Sequence, residues 1–460
     1  MMRTLAAALL AAVATGAAAQ SPQEQLARDI YRELVEIRTV HPDGDNTAAA
    51  RAMAKRLLDA GFDAKDVEVV EPAPLKGNLV ARLRGTGELK PILLLAHIDV
   101  VEAKKEDWSG GLDPFKLTER DGFFYGRGTL DDKSPAAIYV ANLIRLKREG
   151  PKLRRDIIVA LTCDEEGGTH NGVRHLLEKR RDLIDAEFAI NEGAVGDLID
   201  GKPRMLGVQV AEKSYQSFEL EATNPGGHSS LPRADNAIYD LAGALERVSR
   251  MQLPARLGYV PRMLAKRSVF FEKGEMARAL LAIAEEKETP ADVATASASP
   301  RYNSQFHTTC VATRVEAGHA DNALAQRARA TVNCRLLPGE KSEFVQQELQ
   351  KAAGERVRVK PMNPLFDKPM TDPRGPVMKA IDRVALALWP TVEILPVMSA
   401  GATDGSWLRG AGIPVYGVTG LFIPYGEDRM HGRDERLPVR SFYEGLEFHY
   451  RLARTLGDGP

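Results

Sequence analysis

Cysteine is scarce: Cys163, Cys310 and Cys334 are the only three among 460 residues. So few thiols exclude a disulfide framework and leave room for a single bridge. Cys310 and Cys334 can pair if they fall on adjacent strands, a point the sequence leaves open. Cys163 has no evident base in its register and reads as a small core residue, not a nucleophile. A surplus of one charge sign is also missing, since 62 Lys and Arg against 63 Asp and Glu leave a formal net charge of −1. No basic field is available to hold nucleic acid. Beyond the first twenty residues, no apolar run approaches the ~20 needed to span a bilayer. Internal repeats and long low-complexity tracts are absent as well. What remains is an ordinary globular composition, 44% hydrophobic and 27% charged, in a chain long enough for two or more domains.

The opening "MMRTLAAALLAAVATGAAAQ" combines one arginine, an Ala/Leu/Val run and a small-residue end. It has the form of a cleaved secretory signal peptide over 1–20, with a retained anchor as the alternative. The mature protein is therefore expected to be soluble and exported, most simply to a bacterial periplasm. Strand and helix patterns then alternate through "PILLLAHIDVV", "SPAAIYVANLIRLKREG", "DIIVALTCDEE" and "AEFAINEG", which predicts an α/β layered domain over 21–212 that resumes at 366–460. Between them, 213–365 reads as an inserted α+β module of alternating strands and amphipathic helices. Its middle, 261–300, looks mainly helical, with "ATASASP" as a loop.

Several acidic and imidazole groups fall where this pattern places strand ends. His97 and Asp99 alternate on one strand and leave the same face, Asp131 and Asp132 precede a helix, and Asp164, Glu165 and Glu166 close another strand. Glu192 follows a third strand, and His431 lies in a late loop. Each has a bland reading: a satisfied core histidine, helix N-caps, a solvated acidic loop. Taken together they suggest a cation site, because clustered carboxylates near a core are tolerated when divalent cations neutralise them. In open α/β sheets ligands gather at the carboxyl ends of strands.

The ordered motifs A-H-x-D, G-R-G-x-x-D-x-K, D-E-E, N-E-G, G-G-H-S-S and a late M-H resemble those of the co-catalytic zinc peptidases that include glutamate carboxypeptidase, aminoacylase, carnosine dipeptidase and succinyl-diaminopimelate desuccinylase. The likeness spans essentially the whole mature chain. It implies an α/β zinc-peptidase-like catalytic domain, with a central mixed sheet flanked by helices, and a ferredoxin-like inserted lid or dimerisation domain. It further implies two Zn2+ per subunit, with Co2+ or Mn2+ as possible substitutes. His97 and Glu192 would hold one ion, Glu166 and His431 the other, and Asp131 both, with a cis peptide between Asp131 and Asp132. Glu165 then falls into the role of general base, and Asp99 would orient His97.

From the inserted module the resemblance assigns His228 to the oxyanion of the tetrahedral intermediate, often in the neighbouring subunit of a dimer. Asn322 and Arg335 are assigned to the substrate, the arginine to its carboxylate. Thr403, in "SAGATDGSWLR", is a further donor candidate beside that carboxylate. The same residues read otherwise as a surface-loop histidine, a strand-end charge and a Gly-rich turn. Three departures stand out: Ser134 where relatives have Gly, no Pro after Asn322, and Asp434 where Asn is usual. None removes a proposed ligand. The expected activity is hydrolysis of an amide bond next to a free carboxylate in small peptides, of carboxypeptidase or dipeptidase type. An N-acyl-amino-acid deacylase is the alternative, and a non-catalytic periplasmic peptide-binding protein the alternative from another class, against which an intact Glu165 argues.

Overall fold

The computed structural model describes residues 20–366 and 368–459; the expected signal segment, apart from Gln20, lies outside them. Its organising element is a ten-stranded mixed sheet. Four short apolar runs, Ile92–His97, Ile157–Thr162, Phe188–Asn191 and Val415–Gly417, lie parallel within it. Ile92–His97 is buried at every position, so it needs no polar alternation. Successive side chains serve opposite faces: Ile92, Leu94 and Ala96 join one core, whereas Leu93 and Leu95 join another. Because the four strands point the same way, the residues that follow them emerge along one edge. Strand Lys202–Glu212, not anticipated from the sequence, pairs antiparallel with Val415–Gly417 at the margin of this set and is interrupted in pattern by Gly207. A Cβ there would stand 2.8 Å from the Ala194 side chain, so only glycine permits that approach.

Helices cover the sheet. Pro22–Glu36 starts on a capping box between Ser21 and Glu24, and Lys133–Glu149 ends on Gly150 in the left-handed conformation. Both pack with the C-terminal helix Val439–Asp458. Among the described residues no helix is long and apolar enough to cross a membrane.

Segment 214–361 builds a separate four-stranded antiparallel sheet in the order Thr309–Ala317, Arg327–Leu336, Ser214–Thr223, Val357–Pro361. Helices Ala237–Ser249 and Ser342–Ala353 close its core around Phe218, Leu220, Leu241 and Leu349. Cys310 and Cys334 are directly opposed on neighbouring strands and are disulfide-bonded, which answers the pairing question. The inserted middle forms four helices with a small core of their own. There the expected "ATASASP" loop is corrected: helix Pro290–Ser297 runs into it and Pro300–Phe306 follows. A capping box between Thr289 and Asp292 starts the first of these, and alanine carries it on.

One buried group makes stability depend on pH. His449 is 2% exposed, packs edge-on against Tyr139, and donates Nε2–H to the Thr419 carbonyl at 2.8 Å. Burial, only partly opposed by that carbonyl, lowers its pKa from 6.5 to about 4. Between these values the unfolded chain binds a proton the folded chain does not. The neutral-histidine contribution is therefore complete above about pH 6.5 and lost as pH falls toward 4. The expected result is that wild type loses about 2–3 kcal/mol more than His449→Gln between pH 7 and pH 4.5, measured by denaturant unfolding.

Candidate metal centre

The parallel strands deliver their ends to one place. His97 closes its strand; its Nε2 lies 2.9 Å from Asp131 Oδ1 and its Nδ1 3.0 Å from the main-chain carbonyl of Asp99. Across the same carboxylate, His431 Nε2 lies 3.2 Å from Asp131 Oδ2 and 2.9 Å from Glu166 Oε1. Asp131 thus offers one oxygen to each histidine. Ligand atoms of His97, Asp131 and Glu166 come within 4.8 Å of one another, as do those of His97, Glu165 and Glu192. All five expected ligands and the expected base therefore meet at one edge of the sheet. The Asp131–Asp132 peptide is cis, as the resemblance implied.

The electrostatics of the cluster fit a candidate cation site. Burial, helped by Asp404, Asp99 and Glu166 and opposed by His97, pushes the Glu165 carboxyl well above the usual range. Glu192 is raised too, by burial and then by Glu165. For Asp131, burial acts upward but the two histidines overcome it, and its carboxyl falls well below the ordinary value. His431 rises to about 10, driven first by Asp131 and then by Glu166. Asp132 is buried, and neither of its carboxylate oxygens has a hydrogen-bond partner. A set of half-buried carboxylates faced by imidazoles fits divalent cations, whose binding would displace the imidazole protons. Mixed nitrogen and oxygen donors suit zinc.

Much of the scaffolding was not singled out in the sequence. Glu435, fully buried, accepts from the amides of Gly128 at 3.1 Å, Leu130 at 2.7 Å and Asp131 at 3.2 Å, and from Arg127 at 2.6 Å. Arg127 also donates to the carbonyls of His431 and Gly432. The pair ties the turn bearing Asp131 to the loop bearing His431. Asp404, buried beside Glu165, accepts from Thr162 at 3.0 Å and Asn171 at 2.6 Å. A motif-by-motif reading passes over such residues because their role is to hold the segments that carry the site: Glu435 receives backbone amides, Asp404 receives side-chain donors and Arg127 donates to carbonyls.

Three expectations need correction. The Asp99 carboxylate does not hold His97, from which its Oδ1 stands 3.7 Å away. It accepts the amides of Glu165 at 3.2 Å and Glu166 at 3.0 Å, and the main-chain carbonyl does the orienting. Thr403 is not a free donor: its amide and hydroxyl both go to buried Glu212, at 3.1 and 2.7 Å. Asp164 does not share the cation cluster's charge, because Lys76 Nζ meets it at 2.7 Å.

Among the described residues, those of the inserted module make no hydrogen bond or ion pair with the cluster. His228 is exposed, with Nδ1 accepting from the Ser230 amide at 3.2 Å and contacting its hydroxyl at 2.7 Å. It pairs with the strand beginning at Ala323, next to exposed Asn322. Arg335 is half-buried, its guanidinium 5.0 Å from the centre of the Tyr215 ring, with no ion pair among the described residues.

Comparison with known proteins gives this geometry a family. The model of "Peptidase family M20/M25/M40" matches residues 93–455. Human N-fatty-acyl-amino acid synthase/hydrolase PM20D1 is 29% identical over 394 residues, covering 80% of this chain and 74% of that protein. Human aminoacylase-1 is 28% identical over 445 residues, 94% of this chain and 95% of its own. Among solved structures, the M20 family metallo-carboxypeptidase Sso-CP2 from Sulfolobus solfataricus superposes with a TM-score of 0.63 at 17% identity, over 94% of this chain and 99% of that one. The Bacillus subtilis YXEP protein, a dinuclear metal-binding M20 peptidase, does so with 0.60 at 14% identity, over 94% and 97%. The chain is a hydrolytic enzyme, a member of peptidase family M20/M25/M40.

Proposed function

We propose that this enzyme is an exported di-zinc amidohydrolase that cleaves the amide bond beside a free carboxylate in small peptides. The observation that carries the proposal is the placement of Glu165 among the ligand atoms of His97 and Glu192, with Asp131 offering separate oxygens to His97 and His431. His97 and Glu192 would hold one ion, Glu166 and His431 the other, and Asp131 both. Such ions supply an acidified water and an electrophile for the scissile carbonyl. Glu165 takes the proton from the attacking water and passes it to the leaving amine.

Arg335, which has no ion pair among the described residues, is the anchor proposed for the substrate carboxylate. His228 and Asn322 reach a reacting centre most simply from a second copy. Strand Thr309–Ala317 is an edge strand exposed from Val311 onward and offers an unpaired margin for that copy. The disulfide and the apolar opening segment support export.

A second reading, N-acyl-amino-acid hydrolysis, is favoured by the relatives named aminoacylase-1 and N-fatty-acyl-amino acid synthase/hydrolase. The test is a zinc-reconstituted protein assayed against dipeptides, acetyl and long-chain acyl amino acids, and the C-terminally amidated form of each. The expected result is release of free amino acid, with kcat/KM for the amidated forms at least about tenfold lower, the value of one lost charged hydrogen bond. Higher kcat/KM for acyl substrates selects the second reading. No release from any substrate rejects both.

A further inference from the structure

Glu165 and Glu166 depend on a turn that is gripped from two sides. On one side the Asp99 carboxylate takes both of their amides. On the other, Asp164, the residue just before them, sits in the left-handed region with φ of 55°. A non-glycine residue holds that conformation when its surroundings impose it. Here they do. The Asp164 side chain is 0% exposed and meets Lys76 Nζ, itself 7% exposed, at 2.7 Å. Its second oxygen accepts the His170 amide at 3.2 Å, which closes the turn. The same short segment also holds the preceding residue: Asn78 Oδ1 accepts the Cys163 amide at 3.0 Å, and the Lys76 carbonyl faces Cys163 Sγ at 3.4 Å. His41 is the other charged or titratable group against the pair, 3.5 Å from Lys76 Nζ and 3.9 Å from Asp164 Oδ1.

We propose that Lys76 is a positioning residue for catalysis: through its buried ion pair with Asp164 it fixes the turn that aims Glu165 at the reacting centre. The inference rests on the hydrolase reading above. Without the lysine the Asp164 side chain loses the partner that holds it in place, and the turn is no longer fixed whether that side chain stays charged or is neutral. A displacement of about 1 Å at a reacting group is enough to cost roughly 100-fold in rate.

The experiment compares wild type, Lys76→Met, Lys76→Arg, Asp164→Asn and the double variant Lys76→Met with Asp164→Asn, each at saturating zinc. Lys76→Met should lower kcat about 100-fold while KM stays within about threefold, because Arg335, the proposed anchor of the substrate carboxylate, is untouched. Lys76→Arg, which keeps the charge, should recover most of the loss. The double variant has no unpaired buried charge, so it folds even if the single one does not. Its kcat loss should equal that of Lys76→Met instead of multiplying with that of Asp164→Asn. Hydrogen exchange at residues 163–171, read without any substrate, should accelerate in Lys76→Met and not in Lys76→Arg. Wild-type kcat in Lys76→Met or in the double variant, or unchanged exchange over that turn, overturns the proposal. Failure of wild type itself to hydrolyse rejects the hydrolase reading, while the exchange data still decide whether Lys76 holds the turn.

Discussion

Glu165→Gln is expected to lower kcat by about 10²–10⁴-fold, the range that removal of a positioned acid–base group costs. KM and zinc content should remain close to wild type. Glutamine keeps the shape of the side chain and can still accept from a water, but it cannot carry a proton from that water to the leaving amine. The amides that hold this residue come from the backbone and go to Asp99, so the turn should survive the change. Glu166, whose Oε1 lies 2.9 Å from His431, keeps its place. Single-turnover and steady-state kinetics with a dipeptide, beside metal analysis, separate the outcomes. A fall in kcat at full zinc content supports Glu165 as base; a fall that only tracks lost zinc would make it a ligand instead.

The division of labour inside "DEE" shows which parts of the site the sequence carried. Glu165 and Glu166 were legible because motif order and strand ends both pointed at them. Asp164 was grouped with them for the same reason, yet it turns away, because a left-handed residue reverses the chain and delivers its carboxylate to Lys76. No local pattern announces that partner, which lies on a loop between two other strands. Glu435 was hidden in a similar way: Arg127, the group it pairs with, is 308 residues away along the chain. Only the packing of the C-terminal loop over the Asp131 turn reveals the pair. Three of the central strands were readable as apolar runs, whereas Val415–Gly417, only three residues long, and Lys202–Glu212 were not, the latter since Gly207 breaks its pattern for the sake of Ala194. Periodicity reports what a segment buries. It does not report which distant segment receives a carboxylate.

Asp131→Ala is expected to have the larger effect, because one carboxylate serves both histidines. Its loss should remove both ions, lowering affinity by more than the roughly 10–100-fold that an outer-shell substitution costs, and activity should fall to background at any zinc concentration that sustains wild type. His431→Ala is the informative contrast. It meets Glu166 and only the Oδ2 side of Asp131, so zinc stoichiometry should fall by half while the ion that His97 and Glu192 would hold stays. Stability gives a readout independent of turnover. Zinc at 100 times its Kd stabilises a one-site protein by about 2.7 kcal/mol. Wild type should gain at least that in denaturant unfolding, His431→Ala should gain a part, and Asp131→Ala almost none. Glu435 should still hold the amides of Gly128 and Leu130 in Asp131→Ala, so the missing increment reports lost binding and not a collapsed turn. If Asp131→Ala retained two ions and the full increment, the carboxylate between the histidines would be a structural counter-charge, and the di-metal mechanism built on it would fall.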